Sequence, residues 1–377
     1  MASVKLEIEF PQPDDVIYLN HAGVSPWPRR AARAIEEFAR ENITRGALNY
    51  SAWIAQETGL REQLAALINA PSADDIALLK NTSEALSFVA SGLNWQRGQN
   101  IVSSDQEFSS NRIVWQALAP LGVEFREVAI EGVKEPEQAL IAACDENTHL
   151  LTISSVQYGS GIQLNLSELG NFCSENNILF CVDAIQSLGA VRFDVQAVKA
   201  DFVMADGHKW MMGPEGLALF YCRSALRERL NLNEYGWHMT EDYLDYDRRD
   251  WRVAPTARRF ECGSPNMLGV HALSASLTLF QEIGMEQIER NVLKNSSYLI
   301  DVIGSKSQFT LRTPKAPGRH AGIVAFRSET VDVKTVHRKL TQSGVICALR
   351  QGAIRFSPHF YTPRAKLDRA LACLLAL

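Results

Sequence analysis

No run in the chain reaches the about 18 consecutive apolar residues that a membrane helix needs, and the 377 residues contain no Cys-x-x-Cys pair, repeat, low-complexity tract or long polar linker. The first absence excludes a helical membrane span. The opening Met1 to Asp15 carries acids and prolines where a secretory leader needs a basic and then apolar run, so the expected location is cytoplasmic. Positive charge is also scarce: 38 Lys and Arg stand against 43 Asp and Glu, a net −5. Affinity for polyanions comes from Lys and Arg neutralising phosphates, so a nucleic-acid binder is not expected, although a local basic site is compatible with the balance. The seven cysteines sit mostly inside apolar runs such as ILFCVDAI and LALFYC. That placement favours reduced, buried thiols over disulfides or zinc, and no metal site is expected. The odd count leaves one reactive thiol as an open question.

What is present is an ordinary globular balance, 46% apolar and 21% charged, in a chain long enough for two domains. PRRAARAIEEFARENI, residues 28–43, has apolar residues near helical spacing behind a Pro suited to a first turn. From about residue 76, short runs rich in Val, Ile and Leu (IALLK, NIVSS, LLTISSV, ILFCVDAI, DFVMAD, LALFYC) alternate with amphipathic stretches. This pattern predicts an α/β fold with a largely parallel sheet covered on both faces and ligands at the carboxyl ends of its strands. After Arg223 a charged and aromatic stretch leads to RRFECGSPN, a long helical pattern and a closing α+β unit. The expected plan is an N-terminal arm over 1–27, a large domain over 28–255 and a small C-terminal domain over 256–377.

The segment Val182 to Gly216, VDAIQSLGAVRFDVQAVKADFVMADGHKWMMGPEG, holds the most chemistry. Its two strand-like runs end in polar residues, Asp183 and Gln186 after the first and Asp206, His208 and Lys209 after the second, and parallel strands present such ends to one pocket. An acid and a lysine converging on a pocket suit pyridoxal phosphate, the amine forming a Schiff base and the carboxylate keeping the pyridine nitrogen protonated. An Asp that caps a helix and a Lys in solvent would read the same, and the pair by itself leaves both open.

The whole string, VDAIQSLGAV followed by DGHKWMMGPEG, resembles the fold-type I, class V aminotransferase superfamily of pyridoxal phosphate enzymes, which includes cysteine desulfurases, kynureninases and isopenicillin N epimerase. Further pieces match in order along nearly the whole chain. The resemblance implies a large domain built on a mainly parallel, seven-stranded sheet plus a small α+β domain. It implies that Lys209 forms the Schiff base and carries the proton, that Asp183 partners the pyridine nitrogen, and that Gln186 donates to the ring hydroxyl. His208 would form a phosphate or active-site wall. Asp206 stands where many relatives have a small hydroxyl residue; as a poor phosphate ligand, it is expected to orient His208 or hold a backbone amide.

NTSEALSFVASGL puts Thr82 and Ser83 at a helix start, an ordinary capping signal by itself and similar in this order to the family's phosphate-binding turn. Phe108 in DQEFSSNRIVW would stack on the ring where desulfurases carry a histidine, as epimerase-like members do; a core Phe reads alike. Gln157 in SSVQYGSG is a candidate for the same pocket. RRFECGSPN is similar to a string whose hydroxyl residue, here Ser264, reaches the phosphate of the neighbouring subunit, which implies a homodimer with shared active sites. AIRFSPHFYTP resembles a string whose arginine, here Arg355, binds the substrate α-carboxylate through its planar fork. In the arm YLNHAGVSP, His21 and Gly23 are candidates for substrate contact.

The cofactor site does not choose the reaction. A desulfurase needs a nucleophilic cysteine on a mobile loop shortly before the carboxylate-binding arginine, whereas GVICALRQGAIRF has no inserted loop and places Cys347 in a strand-like run. The leading expectation is a class V aminotransferase-type enzyme acting on a small α-amino acid through a Lys209 Schiff base and α-proton abstraction. The alternative is a β-eliminating C–S lyase on a cysteine-type substrate, ahead of desulfurase or epimerase. A dimeric scaffold without turnover is the reading from a different class. The 231–255 stretch and the arm are expected to set the choice of substrate side chain.

Overall fold

The computed structural model describes residues 4–377. The arm enters with a two-residue strand, β1 (Ile17–Tyr18). Seven strands then build the central sheet: β2 (Ile76–Leu79), β3 (Asn100–Ser104), β4 (Glu124–Val128), β5 (Thr148–Ser154), β6 (Leu179–Asp183), β7 (Phe202–Asp206) and β8 (Ala218–Cys222). Their spatial order is β2-β8-β7-β6-β5-β3-β4, and β8 runs against both its neighbours while β7, β6, β5, β3 and β4 pair in parallel. The mainly parallel, seven-stranded sheet expected from the sequence is the one observed. Residues of β2, β3, β6 and β8 are buried throughout, because helices cover both faces and leave no solvent side to alternate toward.

The C-terminal unit is a four-stranded antiparallel sheet in the order β12-β13-β10-β9, made of β9 (Phe309–Leu311), β10 (Val324–Ser328), β12 (Ala348–Arg350) and β13 (Ala353–Phe356). Between β10 and β12 in sequence, β11 (Val345–Ile346) pairs in parallel with β1, so the arm is anchored on this unit. The packing change between the two units falls later than the expected boundary at residue 255. Helix Met267–Ile283 belongs with the large core through Val270, Leu273, Leu277 and Phe280. The following helix, Met285–Gly304, is divided along its length: Ile288 and Val292 pack into the large core, and Leu299, Ile300 and Ile303 into the small one. An uninterrupted amphipathic helix that serves two cores carries no composition shift, which is why the sequence placed the change at the more conspicuous aromatic stretch.

Candidate active site

Four parallel strands end on the same edge of the sheet, and the residues after each end converge. Glu107 and Phe108 follow β3, Gln157 and Tyr158 follow β5, Gln186 follows β6, and His208 and Lys209 follow β7. Asp183 and Asp206 are themselves the last residues of β6 and β7. Parallel pairing of β5, β6 and β7 brings these ends together, which is the usual location of a ligand in an open α/β sheet.

Lys209 and Asp183 sit deep in this edge and act on each other. Burial lowers the pKa of the Lys209 amine, with Asp183 pulling it back up and Arg355 lowering it further. Burial likewise raises the Asp183 carboxyl above the usual carboxylate range, against the opposing hydrogen bond from Ile185 N at 3.0 Å. A cationic group brought against Asp183 would restore its ionised form, because an adjacent positive charge favours the carboxylate. The Lys209 amine lies 5.8 Å from the centroid of the Phe108 ring, and Phe108 is 44% exposed, so it belongs to the opening of the site and not to the core. Tyr158 meets Phe108 edge-on at 5.2 Å.

Gln186 is locked from two sides: its Nε2 donates to Ala22 O at 3.1 Å and its Oε1 accepts from Trp210 Nε1 at 2.9 Å. The second amide hydrogen is what this geometry leaves for a ligand. Trp210, fully buried directly after Lys209, also receives His359 Nε2 on its carbonyl at 2.9 Å, so the lysine stands on a clamped segment. At the start of helix Thr82–Gly92, Asp206 Oδ1 accepts from Thr82 N at 2.9 Å, and Asp206 Oδ2 lies 3.7 Å from His208 Nδ1. Of the two roles expected of Asp206, it fills that of holding a backbone amide, and its other oxygen stands beyond hydrogen-bond reach of His208. Burial raises its carboxyl to about 6 and lowers His208 to about 4. The Ser83 hydroxyl donates to Ser110 Oγ at 2.8 Å.

At the other end, Arg355 is 1% exposed and has no carboxylate partner among the described residues: Nη1 donates to Tyr158 O at 2.9 Å and Nη2 to Asn20 Oδ1 at 3.4 Å. Burial lowers its pKa to about 9, the mark of a cation held where its charge is poorly solvated. His21 is fully buried with Nδ1 2.8 Å from Ser357 O and Nε2 2.8 Å from the Tyr361 hydroxyl, so both nitrogens already serve the fold. Burial lowers its pKa to about 4. The neighbouring Asn20 is the arm residue that touches Arg355, and the arm then reaches the lysine segment through Ser25 N to His208 O at 2.9 Å. Gly23 is at the bend just after, close against the Asn20 side chain.

Gln157 is fully buried; its Nε2 donates to Glu107 Oε1 at 2.7 Å and to Ser104 Oγ at 3.2 Å. Glu107, which sequence reasoning passed over, is a buried carboxylate that also accepts from Ser154 N at 2.9 Å and from Asn111 Nδ2 at 2.7 Å. The signal available for it was its position beside Phe108. Ser264 is exposed in the irregular segment before helix Met267–Ile283. The 231–255 stretch forms a surface cup of about 390 Å³ lined by Tyr235, Trp237, Tyr243, Tyr246 and Trp251, none of which belongs to the Lys209 set. The arm, in turn, meets the site through Asn20 on Arg355 and Ser25 on the His208 carbonyl. Glu57, His238 and Glu261 gather behind that cup, where Arg61 donates to both acids and supplies the positive charge of the cluster.

The residues fit pyridoxal phosphate carrying an amino acid. Ten buried side-chain polar atoms lack partners among the described residues, and three of them belong to this set, Thr82 Oγ1 at a helix start, Gln157 Oε1 and Arg355 Nε, where a ligand would complete them. A phosphate at Thr82, a cationic ring nitrogen at Asp183 and a carboxylate at Arg355 are each the group the local charge calls for.

The family model for class-V aminotransferases matches residues 17–369. A probable cysteine desulfurase of Methanothermobacter thermautotrophicus is 30% identical, covering 94% of this chain and 92% of that protein. An uncharacterized aminotransferase of Bacillus subtilis, YcbU, is 29% identical over 90% of this chain and 88% of its own. Among solved structures, the cystine C–S lyase C-DES in complex with cysteine persulfide superposes with a TM-score of 0.90 at 22% identity, covering 97% of this chain and 98% of that one.

Proposed function

Since the chain belongs to the class-V aminotransferase family, whose cofactor is pyridoxal 5′-phosphate, we propose that it is a β-eliminating C–S lyase acting on a cysteine-type α-amino acid. The bound cofactor supplies an electron sink that makes the substrate α-hydrogen acidic. Lys209 holds the cofactor through its amine and then moves the α-proton; its lowered pKa leaves more of the neutral, basic form at neutral pH. Asp183 holds the ring nitrogen, Phe108 covers the ring, and Thr82 with Ser83 receives the phosphate. Arg355 takes the α-carboxylate in its fork, while Asn20 fixes that fork from the arm. Ser264 of a second copy would complete the phosphate site, which makes the working unit a homodimer.

Elimination breaks the Cβ–S bond with its electron pair leaving on sulfur, and hydrolysis of the three-carbon remainder gives pyruvate and ammonia. The observation that carries this reading over desulfuration is Cys347. The residue is 8% exposed at the join of β11 and β12, its carbonyl is held by His337 Nε2 at 3.2 Å, and burial raises the pKa of its thiol to about 12. A sulfur acceptor must be an accessible thiolate. The names of the relatives, desulfurase and C–S lyase, support chemistry at sulfur over transamination.

The test is to incubate the purified holoenzyme with L-cysteine and L-cystine without a 2-oxo acid. The reading expects pyruvate and ammonia in equal amounts, reduced roughly a thousandfold in Lys209→Ala. A requirement for a 2-oxo acceptor would establish transamination instead, and alanine as product with loss of activity in Cys347→Ser would establish desulfuration.

A further inference from the structure

Beyond the α-carboxylate anchor, the β12–β13 hairpin carries a second arginine with no assigned task. In the antiparallel register Ala348 lies opposite Arg355 and Arg350 opposite Ala353, so these four side chains share one face of the sheet. Arg350 and Arg355 are diagonal neighbours, about 7–8 Å apart at the backbone. Ala348 and Ala353 are the only side chains between them on these two strands, which leaves a low floor between two guanidinium groups.

Arg350 differs from the other cation near the hairpin tip. Arg312 is paired with Glu131 and donates from Nη1 to Gln351 O at 3.2 Å, so its charge is spent and it fastens the tip. Arg350 is exposed, has no carboxylate within ion-pair distance among the described residues, and donates to its neighbour Leu349 O at 2.9 Å. The turn that presents it is tight, with Gln351 at φ 48° and Gly352 at φ 71°, the two left-handed residues of a two-residue hairpin loop. The Gln351 side chain packs against Gly159, where a Cβ would collide with it. The field of Arg350 reaches the site, since it helps to lower the pKa of both Lys209 and Arg355.

We propose that Arg350 forms a second anion subsite and that the substrate is an α-amino acid whose departing sulfur group carries a negative charge. Resting on the lyase reading, this assigns Arg355 to the α-carboxylate and Arg350 to the distal anion. A carboxylate or sulfonate on the leaving group would then be steered and held by a charge-assisted hydrogen bond that a neutral group cannot make.

The test compares S-carboxymethyl-L-cysteine with S-carbamoylmethyl-L-cysteine, nearly equal in shape and differing in charge, each cleaved with water to pyruvate, ammonia and the corresponding thiol. In the holoenzyme, kcat/KM for pyruvate release should favour the carboxymethyl compound by roughly tenfold or more, mainly through KM. Arg350→Gln should bring the ratio of the two values close to one, and Arg350→Lys should restore part of it. Equal values in the unaltered enzyme, or an unchanged ratio in Arg350→Gln, would overturn the subsite. Pyruvate from neither compound, nor from cysteine or cystine, would overturn the lyase reading alone. Titration of the cofactor absorbance with the two compounds would then still measure their affinity ratio and decide the subsite.

Discussion

Asp206 takes up a helix-start amide at Thr82 where a smaller hydroxyl residue would leave that amide to the phosphate, and it does so as a largely desolvated acid. Its folded pKa of about 6 lies above the ordinary aspartate value of about 3.9, so the folded chain binds this proton more tightly than the unfolded chain. The associated stability is complete at low pH and is lost as pH rises through 6. Asp206→Asn keeps an acceptor for Thr82 N without the charge. In denaturant titrations of the cofactor-free protein, the variant should gain on the unaltered chain by roughly 1.4 kcal/mol per pH unit between pH 4 and 6, then hold a constant lead. A lead that does not change with pH would sink this account. At the same scale, Lys209, Asp183, Gln186, Asp206 and His208 were legible because they stand in one contiguous string at two strand ends. Glu107, Asn20, Tyr158 and Arg350 were not, since each matters through a partner far away in sequence, as in the Asn20 to Arg355 contact.

The segment after Lys209 is held by packing from three directions: Gln186 on the Trp210 ring nitrogen, His359 on its carbonyl, and the Gly322 backbone against its ring. A Cβ at Gly322 would overlap the Trp210 ring carbons, and that ring is fully buried. Gly322→Ala is expected to cost about 1–3 kcal/mol in a denaturant melt and to weaken cofactor retention as well, because the displaced element bears the lysine. Loss of stability with the cofactor's visible band unchanged would show that the clamp does not reach the lysine. The sheet was legible at this scale from its buried apolar runs. The extent of helix Met267–Ile283 into the large core was not, because its pattern gives a buried face without naming the surface that covers it.

For the whole molecule, the proposed function makes the pair the relevant unit. Ser264 is exposed in its own chain and has a proposed task only in a neighbour's site. Mixing Lys209→Ala with Ser264→Ala subunits under conditions that allow exchange produces hybrid dimers in which one site carries both defects and the other neither. Activity should then rise above that of either parent, toward roughly a quarter of the unaltered enzyme when hybrids are half of all dimers. Failure to rise despite verified exchange would place Ser264 outside the shared site.

The burial of Cys347 has one further consequence. Cys173, Cys181 and Cys222 are buried too, each with its pKa raised by desolvation, so the thiols of the two cores are protonated at neutral pH and out of reach. On the lyase reading, a catalyst that breaks carbon–sulfur bonds with an amine, a carboxylate and arginines needs no reactive sulfur of its own. Iodoacetamide at neutral pH should therefore leave most of its turnover intact, measured as pyruvate release after the reagent is removed, whereas an enzyme passing sulfur through its own thiolate would be silenced. Sulfur would be cargo in this protein and no part of its tools.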